Sequence, residues 1–140
     1  MSFGDVSGPR RPEAASPCPC GSGRAFGQCC GPILAGRDAD TAEQLMRSRY
    51  TAFALGDVAH LARTWHPATR PEDLDPDRGT QWLALAIVRA AGGPSDDEGV
   101  VEFSARWRAG GETGQLHEVS RFRRRRGRWV YVDGVIDETS

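Results

Sequence analysis

The chain has 140 residues, about one domain's length, with 39% hydrophobic and 26% charged residues and a formal net charge of −1. This is a soluble, globular composition; it excludes an enzyme built from separate cofactor and substrate domains, and no run approaches the ~20 apolar residues of a membrane span. All 18 basic residues are arginine, which removes lysine Schiff-base and P-loop chemistry, and the near-zero charge speaks against general nucleic-acid binding.

Residues 1–17, rich in Pro, Gly, Ser and Ala without hydrophobic period, are expected to be disordered. They lack the apolar core of a signal peptide, so a cytoplasmic location is expected. Cys18, Cys20, Cys29 and Cys30 follow, and the rest of the chain has no cysteine. Adjacent Cys29 and Cys30 are a poor arrangement for two short disulfides, whereas C-x-C, eight residues, then C-C suits a tetrahedral thiolate Zn²⁺ site. Arg24 is placed to offset part of the thiolate charge. A unit this short cannot bury enough apolar surface to fold alone, so a structural zinc, one per chain, is expected to fold residues 18–32.

A connector over 33–40 leads to Thr41 and Gln44, spaced as a capping box for a helix over 42–55 that Gly56 ends. Asp57 caps a second helix with Val58, Leu61 and Trp65 on one face, stopped by Pro67. Residues 68–80 read as an acidic, proline-containing loop. From there the period falls to two: strands are predicted over 82–90, 100–108, 116–124 and 128–135, the last two forming a hairpin turned at Arg126-Gly127. The pattern is α+β, with helices packed on one face of a curved antiparallel sheet, and the domain from 41 onward is expected to have its own apolar core.

The run from Cys18 to Cys30 resembles the SEC-C motif, named for the zinc tail of the SecA translocase. Ala25 and Gly27 stand where polar or basic residues are commoner. Joined to Leu-Met-Arg-Ser-Arg-Tyr (45–50), Thr-Trp-His (64–66), Leu-His-Glu-Val-Ser-Arg-Phe (116–122) and Trp-Val-Tyr-Val-Asp-Gly (129–134), the chain resembles the YchJ family of small bacterial SEC-C proteins over residues 17–137. The resemblance implies a nuclear transport factor 2-like (cystatin-like) cone over 41–137, zinc on the four cysteines, and a knuckle that docks on a protein or ribosomal partner. It implies no reaction, because that fold hosts enzymes and pure binding modules alike.

Within the first helix Leu45, Met46, Tyr50 and Phe53 form an apolar stripe; Arg49 falls inside it and Arg47 faces away. A buried guanidinium needs partners. On a two-residue turn, Leu116, Glu118, Ser120 and Phe122 share a face with Trp129, Tyr131 and Asp133, so an Arg49–Glu118 or Arg49–Asp133 pair is expected. Glu102 is a third candidate only if its strand turns the even-numbered face inward. The pair is either a structural tie or an anion site. With Tyr50, Trp65 and His66 these residues make the candidate pocket lining. The first expectation is a zinc-binding adaptor or ligand-binding protein; the alternative is a small-pocket hydratase, isomerase or hydrolase using Glu118 or Asp133 with Arg49. No nucleophile elbow, phosphate-cradling glycine loop or two-metal cluster marks catalysis. Arg123, Arg124, Arg125 and Arg126, at the hairpin tip, are either solvated or in contact with RNA phosphates, and homodimerisation is a further partner option.

Overall fold

The computed structural model describes residues 11–74 and 79–139. Helix α1 (Cys30–Leu34) follows a 3₁₀ turn at Phe26–Gln28, and helices α2 (Ala42–Leu55) and α3 (Val58–Arg63) precede four strands: β1 (Gln81–Ala91), β2 (Glu98–Ala109), β3 (Glu112–Arg125) and β4 (Arg128–Thr139). The strands form one antiparallel sheet in the order β1-β2-β3-β4. The ambiguous apolar run after Gln81 is a strand, and all four strands extend past their predicted ends.

Local chemistry sets the helix boundaries. The Thr41 hydroxyl accepts from the Gln44 amide at 3.1 Å, while the Gln44 side chain accepts from the Asp40 amide at 2.9 Å, one residue ahead of the expected box. The Asp57 carboxylate accepts from the His60 amide at 3.0 Å. Helix α3 ends at Arg63, before Trp65, and the chain then runs beside β4: the Tyr131 amide donates to Thr64 O and the His66 amide to Tyr131 O, both at 2.8 Å.

The sheet's inner face carries Val101, Phe103 and Ala105 from β2 with Ser120 and Phe122 from β3, all buried against α2. Glu102 therefore points outward, where it meets Arg89 at 2.8 Å and His117 at 2.7 Å. The β3–β4 turn falls on Arg126 and Gly127, both at positive φ (55° and 81°), the two-residue primed turn that the sequence predicts.

Two departures from expectation matter for function. Helix α2 is buried nearly all round, with Ala42, Ser48, Thr51 and Ala52 at 0% exposure, because the cysteine knuckle covers the side away from the sheet. Cys18, Cys20, Phe26, Cys30, Ile33 and Leu34 share one continuous core with Leu45, Met46 and the sheet, so the knuckle and the domain beyond 41 do not have separate cores. Secondly, residues 13–17, expected within a disordered tail, are held against the knuckle: Gly27 and Phe26 donate to Ala14 O and Ser16 O at 2.9 and 2.8 Å. Of the remainder, Arg11 meets Asp57 at 2.8 Å, and 1–10 lie outside the described residues, as do 75–78 of the predicted loop.

Candidate metal centre and candidate pocket

The four cysteine Sγ atoms all lie within 4.8 Å of one another and none is in a disulfide. Four thiolates around a Zn²⁺ at ~2.3 Å would stand about 3.8 Å apart; Cys20 and Cys29 are at 3.6 Å. The donor set therefore fits a tetrahedral metal ion. Backbone bonds close the loop around it, from Cys18 N to Arg24 O at 2.9 Å and from Gly21 N to Cys18 O at 3.1 Å.

The surrounding residues differ from expectation. Arg24, expected to offset the thiolate charge, is exposed, and Arg47 stands beside the sulfurs instead. Arg47 donates to Cys20 O at 3.0 Å and lies 3.8 Å from Cys20 Sγ, and Glu43 steadies it at 3.0 Å. Thr51 donates to Cys30 Sγ at 3.4 Å, and Ser22 Oγ lies 3.1 Å from Cys29 Sγ. Arg47 does face away from the sheet, as its helical position requires. What the helical period could not show is that a second layer waits there.

A cavity of about 250 Å³ opens between α2 and the inner face of the sheet, lined by Arg49, Tyr50, Trp65, Trp82, Glu118 and Tyr131 among others. Arg49 is 3% exposed, yet its hydrogen bonds go to no carboxylate of the described residues. Its Nη1 donates to Leu61 O at 3.0 Å and to Thr64 Oγ1 at 2.7 Å, and its guanidinium carbon sits 4.9 Å from the Trp65 ring and 4.6 Å from the Tyr131 ring. Burial brings its pKa down to about 10. Thr64 in turn donates to His60 O at 2.7 Å, so neutral dipoles and π faces touch the guanidinium while the Glu118 charge acts on it from beyond ion-pair distance.

Glu118, 8% exposed, takes both its hydrogen bonds on one oxygen: Ser120 Oγ and, at 3.2 Å, the Tyr131 hydroxyl donate to Oε2. Oε1 has no hydrogen-bond partner among the described residues. Burial, ahead of the nearby Glu118 charge, pushes the Tyr131 phenol up, which keeps it a donor. Room for the carboxylate comes from Gly134 opposite Ser120, where a Cβ would lie 2.9 Å from Glu118 Cδ.

Asp133 is the clearest correction. Val132 is an extra residue between the pairs Arg121↔Asp133 and Phe122↔Tyr131, and this bulge reverses the alternation beyond it. Asp133 therefore stands on the outer face and grips Arg121 at 2.6 and 2.7 Å, which holds its carboxyl below the usual range. Neither expected Arg49 ion pair forms. Phe122 is buried beside Tyr131, ring centroids 5.7 Å apart; Trp129 lies under Arg124 at 4.5 Å, its indole N–H donating to Asp40 O at 3.2 Å; His66 caps the next turn, accepting from the Ala68 amide at 3.0 Å. Those three stay outside the cavity lining, as does Asp133. Ser120 and Thr64 are the functional positions the sequence reading missed as candidates. A serine two residues from a glutamate on an inward face was the available signal for the first.

The profile of the YchJ middle NTF2-like domain matches residues 41–134, and that of the SEC-C motif matches 16–32. A UPF0225 protein of Chromobacterium violaceum is 50% identical over 131 residues, covering 89% of this chain and 96% of that one. One from Streptomyces coelicolor is 50% identical over 120 residues, covering 84% and 94%. Among solved structures, a SEC-C motif containing protein from Rhodopseudomonas palustris superposes with a TM-score of 0.76 at 39% identity over 86% of this chain and 98% of that one. One from Psychrobacter arcticus gives 0.72 at 26% identity over 91% and 86%. With half its residues shared with UPF0225 proteins over most of its length, and both of its parts matched in order, the chain belongs to the YchJ (UPF0225) family of SEC-C proteins.

Proposed function

We propose that this protein is a zinc-stabilised ligand-binding protein, whose cone cavity takes a small molecule with an apolar body and one neutral hydrogen-bond donor. The observation that carries the reading is the open cavity of about 250 Å³ in which Glu118 keeps Oε1 unbonded while Ser120 and Tyr131 fix Oε2. A fixed acceptor on an otherwise apolar wall is how small-ligand sites select orientation. The buried Arg49 cation on the same wall disfavours a cationic ligand, so a hydroxyl or ring N–H is the fitting donor. A four-thiolate tetrahedral set suits Zn²⁺, and its role here is structural because no ligand position is left open.

The same free oxygen is where a proton-abstracting reaction would begin. Binding is preferred because Arg49 is already engaged with Leu61 O and Thr64 rather than held for a developing charge. Docking of the knuckle on a protein or ribosomal partner would fall on its exposed residues, Gly21, Gly23, Arg24 and Gln28, since its other side is occupied by α2.

Metal analysis of reduced protein should give one zinc per chain. In a ¹H–¹⁵N spectrum, indole, an apolar ring with a single N–H donor, should shift the Trp65 and Trp82 side-chain resonances and leave that of Trp129 in place. Absence of shifts at saturating indole, or shifts confined to Trp129, would overturn the cavity assignment.

A further inference from the structure

The arginine run at the end of β3 divides into two sets with different roles. Arg121 grips Asp133, Arg123 faces Glu98 at 3.7 Å, and Arg124 donates to the backbone carbonyls of Asp96 at 2.7 Å and Pro94 at 2.8 Å. These three hold the sheet and the β1–β2 connection together. Arg125 and Arg126 have no partner among the described residues, and with Arg128 they line a second hollow of about 400 Å³.

Arg37, Arg63 and Arg70 line the same recess, so six arginines do; among the described residues Asp38 is the one carboxylate in the lining, and Asp40 pairs with Arg37 from beside it at 3.5 Å. Asp38 meets Arg128 at 3.3 Å with both side chains more than half exposed, a pair that water and salt readily open. Arg63 and Arg70 are positioned by neutral groups: Arg63 Nη2 donates to Leu34 O at 3.0 Å and to His60 Nδ1 at 2.9 Å, and Arg70 Nη1 to Ala62 O at 3.1 Å. Carbonyl and imidazole partners fix where a guanidinium points without cancelling its charge. On a chain of net charge −1, this is a concentrated positive field inside a concavity.

The turn supplies an independent observation. Arg126 is the only described non-glycine residue at positive φ, 55°, a position where Asn, Asp or Gly would sit with less strain. A side chain with a Cβ in the left-handed region costs ~1–2 kcal/mol. Placing an arginine there sets a further guanidinium on the rim of the recess at the expense of stability, as functional positions commonly do.

We propose that this recess binds a compact polyphosphate-type anion, a small molecule bearing two or more linked phosphate groups. Guanidinium forks match phosphate oxygens in pairs, and six arginines lining one recess of about 400 Å³ suit an anion that carries several phosphate groups. A single phosphate has too few oxygens to engage them together. Single-stranded RNA fits less well: its recognition rests on bases stacked on exposed aromatic rings, whereas of the two tryptophans lining the recess Trp129 is 3% exposed and covered by Arg124, and Trp65 already packs against Arg49 and Tyr131. The site uses none of the Glu118 acceptor chemistry, so it stands or falls separately from the cone cavity.

Isothermal titration of the zinc-loaded protein with pyrophosphate, tripolyphosphate and orthophosphate at 50 mM salt tests the proposal. One site per chain is expected, tripolyphosphate tightest and orthophosphate at least tenfold weaker than pyrophosphate, with affinity falling as salt rises. The double variant Arg125→Ala, Arg126→Gly should lose at least tenfold in tripolyphosphate affinity while its melting temperature holds or rises, since glycine relieves the turn. Arg70→Gln, in the same lining but outside the β3–β4 hairpin, should lose affinity with the turn untouched. Zinc stripped by polyphosphate would give heat that these variants do not change, and such heat overturns the proposal. So does absence of binding at 50 mM salt, or a 12-nucleotide single-stranded RNA held more tightly than tripolyphosphate through the same arginines.

Discussion

Removing the metal should unfold more than the knuckle. Phe26, Ile33 and Leu34 belong to the segment that the cysteines hold, and they are 6%, 6% and 3% exposed in the same core as Leu45 and Met46. Fully burying such a side chain is worth ~1.5–3 kcal/mol, so undocking all three forfeits about 5–9 kcal/mol, or roughly 4–7 once the compactness of real unfolded chains is allowed for. Domains of this size are stable by ~5–15 kcal/mol and lose ~2–4 °C of melting temperature per kcal/mol. Chelation under reducing conditions is therefore expected to lower the melting temperature by about 10–25 °C and to keep a single transition, read by far-UV circular dichroism and by tryptophan fluorescence together. Arg47→Leu, which cuts the tie to Cys20 while keeping the helix, should shift the same transition by a few degrees in the same direction. Two separated transitions, with the second at the metal-loaded temperature, would refute the shared core.

Other outcomes follow from the same contacts. Arg49→Met strands Leu61 O and removes two charge-assisted hydrogen bonds, so it should destabilise by ~2–4 kcal/mol in urea titrations. Arg49 and Glu118 share Tyr131 and act on each other through the buried cavity without a direct ion pair, so the double variant with Glu118→Leu should show a coupling of ~0.5–1 kcal/mol, well short of that of a true buried pair. Asp133→Asn breaks an exposed pair and should change stability by less than ~1 kcal/mol while leaving indole binding unaltered. Burial, reinforced by Arg63 and only partly opposed by Asp57, brings His60 down to about 4 from 6.5. The unfolded chain then holds the extra proton between those values, so stability is full above pH 6.5 and falls toward pH 4, by about 3 kcal/mol from this residue. His60→Gln should flatten that part of the wild-type minus variant difference.

The parts of the fold legible in the sequence were those set by local chemistry. Thr41, Gly56 and Asp57 bounded the helices, period-two alternation marked Val101, Phe103 and Ala105 as inward, and Arg126-Gly127 marked the turn. The cysteine cluster was legible because metal-ligand spacing is itself a local signal. Arg47 faces away from the sheet as expected, but its place beside Cys20 is not legible, because the helical period tells which residues share a face and not how many layers surround the helix. Asp133 was misread because a bulge at Val132 leaves no mark in the alternation before it, yet inverts every residue beyond. Arg49 was placed correctly as buried; its partners, a carbonyl, a hydroxyl and two rings, are non-local choices that charge counting does not anticipate.

The central claim is that the cone cavity recognises a neutral donor through the unbonded oxygen of Glu118. Its most direct test compares the affinities of indole and benzothiophene, which share shape and differ by the ring N–H, in the zinc-loaded wild type and in Glu118→Leu. A buried hydrogen bond to a charged acceptor is worth ~1.5–3 kcal/mol, so the wild type should prefer indole by about tenfold or more. The Glu118→Leu variant should bind both alike. Equal affinities in the wild type, or a preference for indole that survives the loss of Glu118, would contradict the account.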